Sequence, residues 1–427
     1  MKRALIITYY WPPTGGSGVQ RWLKFSKYLP EMGWQPVIYT PENPERLVTD
    51  ESLVAEIPAE AEVIKTHITE PYSLARKLMG GGDGKGAGLN PINAQQKGFK
   101  QKAALWARSN FFVPDPRVWW VRPSVKYLKE YLKGHPVDVI VSTGPPQSMH
   151  LIGLNLHRAT GIPWVADFRD AWTKIFYFKH LSLTPKAARL HHQQEKAVLD
   201  GATRVVSVSP MELEDLRGMS KTPMSLITNG FDEQDFSGPE PPQHTGEFRI
   251  VNAGLFSSDG NPLALWDTLR KKCDSSPGFK AALRIRLAGK VDAEVLEAIR
   301  ERGLGENLQY LGYLSHADSV AELRAADMLL LLLRREPEYA RAVPGKTFEY
   351  LAARKPVLGI GQEYSASAKM IADAGAGRMF DWDKGEEMGD FIDSVRSGAF
   401  SPKGEGIGQY SRRNCAAAMV ELFESII

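Results

Sequence analysis

Cysteines and metal-ligand patterns are scarce in this sequence. Its two cysteines, Cys273 and Cys415, stand far apart and in no ligand spacing, which argues against a disulfide framework and fits a reducing compartment. The nine histidines form no ligand cluster. The D-x-D sequence at 381–383 lies in a stretch rich in Asp, Glu and Gly, where a solvated turn is the better interpretation. We therefore expect neither a metal nor a cofactor.

Long hydrophobic runs are also missing. The longest, at 328–333, has the length of a strand and is far shorter than the ~20 residues of a membrane-spanning helix. The first residues, MKRALIITYYWPP, contain a short apolar stretch without the cleavage site of a signal peptide, so we interpret them as a buried strand. These absences predict a cytoplasmic protein, at most bound to the inner face of the cytoplasmic membrane.

Short apolar runs alternate with helical stretches through most of the 427 residues, a length that suits two domains. We predict first-half strands at 4–9, 35–40, 62–66, 137–142, 163–167 and 203–207, and second-half strands at 248–253, 283–288, 308–311, 328–333 and 356–361. Such alternation is typical of parallel, doubly wound sheets. The predicted fold class is therefore α/β, with two Rossmann-like domains that face each other across a cleft.

A polar stretch rich in Pro and Gly at 236–247 is the best linker candidate. It separates a first domain at 1–240 from a second domain at 246–407. A last helix, at about 410–427, could pack on either domain.

A basic insertion at 71–135 interrupts the first domain. It holds twelve Lys and Arg against three Asp and Glu, a local excess of nine positive charges, together with several Trp and Phe residues. Long insertions in compact domains are usually functional or disordered. Basic and aromatic residues together suit an anionic membrane surface or a phosphorylated acceptor; the alternative is a solvated helical face with its aromatics in the core. No nucleic-acid-binding motif accompanies the charge, so we expect no nucleic-acid partner.

A glycine-rich loop, TGGSGVQR at 14–21, follows the first strand and opens a helix. Glycines let backbone N–H groups approach a ligand, and a helix N-terminus favours an anion. Gly15, Gly16 and Gly18 are therefore candidate donor-binding residues, with a plain tight turn as the alternative. Arg21 stands where the dinucleotide fingerprint needs its third glycine, so we do not expect NAD.

Two further segments place polar residues just past predicted strand ends, where ligands collect in open α/β sheets. The sequence PWVADFRDAW carries Asp167, Arg169 and Asp170, whose carboxylates and guanidinium could hold a hydroxyl-bearing ligand. The alternative is an ion pair that pins the loop. His150 follows the strand before it and could face the same ligand. These four are the candidate catalytic residues.

The strongest motif is PGKTFEYL at 344–351. Pro344 suits the first position of a helix, which places Lys346 and Glu349 three residues apart on one helical face. A lysine at this place can neutralise a diphosphate, and a carboxylate beside it can bind hydroxyls. The alternative is an i,i+3 salt bridge worth only ~0.3–0.5 kcal/mol.

The motifs TGGSG, PWVADFRDAW, ITNGFD, AGLFSSDGNP, YLGYLSHADSVAELRAADMLLLL and VPGKTFEYLAARKPVLGIG together resemble the family-4 class of retaining glycosyltransferases over almost the whole chain. The resemblance implies the GT-B fold and metal-independent transfer of a hexose, with retention, from a UDP- or GDP-sugar. It implies a glycan or lipid-linked acceptor, such as a precursor of cell-surface polysaccharide. It also implies that a terminal helix at 408–427 crosses back to the first domain.

The same resemblance assigns site residues in the second domain. Glu349 falls at the second glutamate of the family's paired-glutamate motif, and Lys346 at a diphosphate-binding position. The turn at 310–314, which includes Tyr313 and Leu314, resembles the loop whose backbone reads the nucleotide base in that family. Gly345, Thr347 and Arg341 complete the donor-binding candidates.

The sequence departs from the family pattern at two places. Arg341 stands where the first glutamate of the pair is expected, and the basic residue usually found after the first strand of the second domain is missing from 255–261. Either Arg334, Arg335 and Arg341 take over the phosphate charge, or donor binding is weaker. Two alternatives therefore stay open: a nucleotide-sugar epimerase on the same fold and a non-catalytic, membrane-associated binding protein.

Overall fold

The computed structural model of the chain describes residues 1–45, 48–70, 99–239, 241 and 245–427, with the backbone alone at 99–101 and 104. It forms two compact units. Unit 1 consists of Met1–Thr228 and Cys415–Ile427, and unit 2 of Asn229–Asn414. The part of the basic insertion at 71–98 lies outside the described residues.

Unit 1 is built on a seven-stranded parallel sheet in the order β3-β2-β1-β4-β5-β6-β7. Its strands are β1 (Lys2–Ile7), β2 (Trp34–Pro41), β3 (Glu62–Thr66), β4 (Val139–Gly144), β5 (Trp164–Phe168), β6 (Arg204–Ser207) and β7 (Met224–Leu226). Its helices are α1 (Ser17–Tyr28), α2 (Phe99–Phe111), α3 (Val118–Gly134), α4 (Ser148–Thr160), α5 (Pro185–Gly201) and α6 (Pro210–Arg217). Central strands such as β4 and β5 are buried throughout, because helices cover both faces of a parallel sheet.

Unit 2 repeats this topology with six parallel strands in the order β10-β9-β8-β11-β12-β13. The strands are β8 (Phe248–Ala253), β9 (Leu283–Ala288), β10 (Leu308–Gly312), β11 (Met328–Leu332), β12 (Val357–Ile360) and β13 (Gly377–Phe380). The helices are α7 (Leu263–Ser275), α8 (Pro277–Ala282), α9 (Ala293–Ile299), α10 (His316–Arg324), α11 (Gly345–Ala352), α12 (Ala366–Asp373) and α13 (Gly385–Arg396). A last helix, α14 (Arg412–Glu424), follows.

The strand order creates one switch point in each unit. The chain builds outward in both directions from β1 and β4 in unit 1, and from β8 and β11 in unit 2. Ligands of open α/β sheets bind at the carboxyl ends of the strands at such a point. The predicted fold class, two Rossmann-like parallel-sheet domains of the GT-B type, is confirmed.

All eleven predicted strands are present, but 203–207, the last strand predicted in the first half, is not the last strand of unit 1. The strand β7 follows it, and β13 was missed in unit 2. Each lies at a sheet edge and pairs with a single neighbour. Edge strands are short and partly exposed, so neither one carries the continuous apolar run that marks a central strand.

The chain leaves unit 1 before the predicted linker. Residues 229–239 belong to unit 2, where His316 Nε2 lies 2.9 Å from Asp235 Oδ2. At the other end, α14 returns to unit 1: the ring of Phe423 lies 5.0 Å from that of Trp34, whose Nε1–H donates to Glu424. None of the helices in the described part of the chain is long and apolar enough to span a membrane.

Candidate functional site

Three glycine turns line the switch point of unit 2. Gly254 follows β8, Gly289 follows β9 and Gly312 ends β10, and all three have positive φ (110, 99 and 67°). The N–H of Gly289 donates to the carbonyl of Gly312 (2.6 Å). A Cβ on Gly289 would lie only 2.5 Å from the carbonyl oxygen of Gly254. These turns therefore pack backbone to backbone and present main-chain atoms rather than side chains to a ligand.

Lys346 lies in the first turn of α11, and no side chain in the described part of the chain caps the N-terminus of this helix. Its Cδ is 4.0 Å from the position that a Cβ on Gly254 would take. Its ammonium is buried and has no hydrogen-bond partner among the described residues. Burial lowers the pKa of Lys346 to about 8, although Glu349 opposes this effect. A buried cation without a counter-ion is costly, so this place favours an anionic ligand.

Glu349 lies one turn further along α11. It is partly buried and forms no hydrogen bond or ion pair in the part of the chain described, so the alternative interpretation of this motif, a salt bridge with Lys346, does not hold. Burial raises the pKa of Glu349, while His316 and Arg412 lower it. A cation and a carboxylate thus stand one turn apart, each able to bind a ligand group. The hydroxyl of Thr347 is buried beside them without a partner among the described residues.

The other donor-binding candidates lie on loops of unit 2. Tyr313 is 88% exposed, next to the partly buried Leu314, on the loop after β10. Gly345 is exposed at the first position of α11, and Arg341 is partly buried at the end of the 3₁₀ helix Pro337–Arg341.

Two further arginines of the β11–α11 loop contact residues of unit 2. Arg334 Nε lies 3.6 Å from Asp259 Oδ2. The guanidinium of Arg335 lies 4.9 Å from the ring centre of Trp382.

The glycine-rich loop borders the switch point of unit 1. Gly15 donates its N–H to the carbonyl of Val48 (2.9 Å), and Gly16 has a φ of 89°. A Cβ on Gly18 would lie 2.9 Å from the ring of Tyr10. No side chain among the described residues caps α1, so the N–H groups of its first turn can bind a ligand.

Asp167 is fully buried and its oxygen atoms are occupied. Arg21 Nη2 lies 2.9 Å from Oδ1, and Nε lies 3.2 and 3.1 Å from the two oxygens. Trp22 Nε1 (2.8 Å) and Thr143 Oγ1 (2.9 Å) donate to Oδ2. Burial alone would raise the pKa of Asp167, but Arg21 and these donors hold it below its ordinary value. This geometry joins α1 to β5 and leaves no oxygen for a substrate.

Arg169 connects backbone segments across the switch point. Its guanidinium donates to the carbonyls of Gly144 (3.3 Å), Gly18 and Pro145, and it forms no ion pair with either carboxylate. Asp170 forms no hydrogen bond or ion pair within the described residues, and burial raises its pKa to about 6, against the effect of Arg169. Asp170 is therefore the candidate of this loop with oxygen atoms available for a ligand.

His150 is fully buried under the loop that follows β4. Its ring stacks on Phe168 at 4.4 Å, and Nδ1 lies 2.9 Å from Ser142 Oγ, which accepts a hydrogen bond from Trp164 Nε1. Burial lowers the pKa of His150 to about 3, so the ring is neutral at pH 7. This environment suits a packing role and gives substrate no access to the ring.

The sequence singled out Lys346, Glu349, Asp167 and Asp170 as candidates, but it did not indicate the residues that contact them. Arg21 was used only to exclude NAD, although its burial at 2% exposure makes it the anchor of Asp167. Gly254 and Gly289 were not singled out; the signal available was a glycine immediately after a predicted strand.

Two Rossmann-like units, a buried cation without a partner among the described residues and a glycine-rich loop are the features expected of a glycosyltransferase with the GT-B fold. The chain belongs to the family of the Glycosyl transferase 4-like domain, whose sequence profile matches residues 15–230. This confirms the family-4 resemblance. No curated protein matches the chain in sequence.

Solved structures of glycosyltransferases share the fold over the whole chain. Sucrose-phosphate synthase from Thermosynechococcus elongatus is 15% identical with a TM-score of 0.63, covering 100% of this chain and 99% of that one. The lipopolysaccharide outer core galactosyltransferase WaaB is 12% identical with a TM-score of 0.60, covering 100% of both chains. Anabaena HepE, solved with UDP-glucose, is 13% identical with a TM-score of 0.58, again covering 100% of both.

Among the described residues, no group of three or more His, Cys, Asp and Glu side chains could hold a metal ion.

Substitution of Asp167 and substitution of Asp170 should have different effects on the stability of the protein. Asp167→Asn leaves Arg21 buried without its counter-ion and should lower the free energy of unfolding by about 3 kcal/mol. Asp170→Asn removes a carboxylate that burial disfavours, so stability at pH 7 should be unchanged or higher. Urea unfolding of both variants measures this difference. Equal losses in the two variants would contradict the assigned roles.

The glycine turns give a second test. Gly289→Ala forces a Cβ against the carbonyl of Gly254 at an unfavourable φ, and should lower the free energy of unfolding by about 2 kcal/mol or more. The control is Gly408→Ala, because Gly408 is exposed and a Cβ there meets nothing within 4 Å. Thermal unfolding of both proteins measures the effect, and a neutral Gly289→Ala would contradict the tight turn packing.

Proposed function

We propose that this protein transfers a hexose, with retention, from a UDP- or GDP-sugar to a glycan or lipid-linked acceptor. The observation that carries the proposal is the buried Lys346 ammonium, which has no partner among the described residues and lies beside the Gly254 turn. A nucleoside diphosphate supplies the missing negative charge. As the glycosidic bond breaks, charge develops on the diphosphate, and a preorganised cation stabilises it.

The donor lies along the switch point of unit 2 in this proposal. Its diphosphate contacts Lys346 and the N-terminus of α11 at Gly345 and Thr347, where the helix dipole favours an anion. Glu349 accepts hydrogen bonds from hydroxyls of the transferred sugar. The backbone at Tyr313 and Leu314 contacts the base. Arg341 adds a second cation, which with Lys346 replaces the charge of a divalent metal.

The acceptor binds unit 1, beside the Gly15–Gly18 loop. Asp170 accepts a hydrogen bond from the acceptor hydroxyl, because its carboxylate has no other partner in the described structure. Asp167, Arg169 and His150 act as positioning residues that hold the surrounding loops. Since the pKa of Asp170 is about 6, this hydrogen bond weakens as the carboxylate is protonated below that pH.

Replacing Lys346 should separate function from stability. Lys346→Met removes a buried cation and should raise the free energy of unfolding at pH 7 by on the order of 2 kcal/mol. The folded pKa of about 8 lies below the unfolded value, so wild-type stability rises with pH above 8 and the advantage of the variant disappears there. Unfolding curves at pH 7 and pH 10 measure the change. The control is the exposed Lys369, which pairs with Asp373.

The same variant tests donor binding. A thermal-shift panel of UDP, GDP, ADP and their sugar conjugates should show stabilisation by one base in the wild type, and none in Lys346→Met. A donor-plus-acceptor assay should then give a glycosylated product, insensitive to EDTA, that is lost in the variant. Isomerised donor formed without acceptor would favour an epimerase instead. No thermal stabilisation by any compound of the panel would contradict the proposed donor site.

A further inference from the structure

The described part of the basic insertion exposes a group of aromatic side chains. Trp106 is 44%, Phe111 72% and Trp119 48% exposed. The ring of Trp106 lies 5.9 Å from Phe111, and that of Trp119 lies 5.0 Å from Phe112. These two ring pairs lie where α2 ends and α3 follows. Large aromatics exposed together mark an interaction surface.

Cations continue this surface along α3. Its solvent-facing stripe carries Trp119, Arg122 and Lys126 at helical spacing, while Trp120, Val121, Ser124 and Leu128 face the core. Arg122, Lys126 and the exposed Lys129 form no ion pair within the described residues, whereas Glu130, the only acid of α3, is paired with Lys133. We call Lys102, Trp106, Phe111, Trp119, Arg122 and Lys126 the docking surface.

Hydrogen bonds tie the docking surface to the loops around the unit 1 switch point. Asn110, in α2, accepts from the N–H of Thr184 (2.6 Å) on the loop after β5. Asp115 accepts from the N–H of Ser148 (2.8 Å) at the start of α4. Arg117 Nη2 donates to the hydroxyl of Tyr9 (3.2 Å), just after β1. The segment between α2 and α3 is therefore fixed to the strand ends where we place the acceptor.

We propose that the docking surface binds an anionic lipid bilayer and that the acceptor saccharide is carried on a lipid of that bilayer. Trp and Phe side chains favour the bilayer interface, and unpaired Lys and Arg are attracted to anionic headgroups. The rigid links to the loops after β1, β4 and β5 hold the acceptor site at the lipid surface. The second half of this proposal rests on the proposed transferase function, whereas bilayer binding does not.

Co-sedimentation of the full chain with vesicles tests bilayer binding. The wild type should bind vesicles of phosphatidylglycerol and phosphatidylcholine, and bind pure phosphatidylcholine vesicles at least about tenfold more weakly. Arg122→Glu with Lys126→Glu should lower binding to the anionic vesicles by about tenfold or more, and Trp106→Ser with Trp119→Ser should also lower it. Matched controls are Lys271→Glu with Arg300→Glu, and Tyr364→Ser, all exposed in unit 2; these should bind like the wild type.

The outcomes separate the two halves of the proposal. All variants should retain the thermal shift with nucleoside diphosphate, which shows that they fold. Loss of binding in the unit 2 controls as well, equal binding to both vesicle types, or tighter retention on duplex DNA than on anionic vesicles would overturn the docking surface. If the protein binds vesicles but glycosylates only water-soluble acceptors, the proposal of a lipid-linked acceptor is wrong. If vesicles bind and no acceptor of either kind is glycosylated, the transferase function fails while the docking surface stands.

Discussion

The unit 2 site depends on one electrostatic constraint, a lysine ammonium held out of water without a counter-ion in the described structure. Lys346 reaches this state because α11 starts directly at the switch point, against the Gly254 turn. The fold opposes the charge, and burial lowers the pKa to about 8. In our proposal, an anionic ligand binds here because it restores the charge balance. The glycine turns support this arrangement, because any side chain on Gly289 would collide with the backbone of Gly254.

In unit 1, by contrast, the buried charges of Asp167, Arg21 and Arg169 have partners within the protein. The ion pair of Asp167 with Arg21 is buried. Arg169 donates to three carbonyls that border the switch point. The Asp167–Arg21 pair and Arg169 therefore use their hydrogen bonds to hold the fold together. Asp170 stands at the end of the same strand without a partner in the described structure. We therefore propose that Asp167 positions the loop and that Asp170 binds a ligand, because only Asp170 has oxygen atoms without a hydrogen-bond donor among the described residues.

The sequence predicted the central strands and the residues next to their ends, because buried parallel strands carry continuous apolar runs and ligands gather where they stop. It did not predict β7 and β13, whose exposed edges lack such runs. Nor could it separate Asp167 from Asp170: both follow the same strand, and only the position of Arg21, 146 residues away in the chain, decides which is saturated. Long-range partners of this kind are set by tertiary packing and leave no local pattern.

The most direct test of the account is the pKa of the Lys346 side chain, measured by NMR on protein labelled at the lysine ε-amines and assigned with the Lys346→Met variant. The account predicts a value of about 8 in the unliganded protein, and a rise of at least about one unit when a nucleoside diphosphate binds, because the anion favours the charged form. An ordinary lysine value that does not change with any nucleoside diphosphate would contradict it.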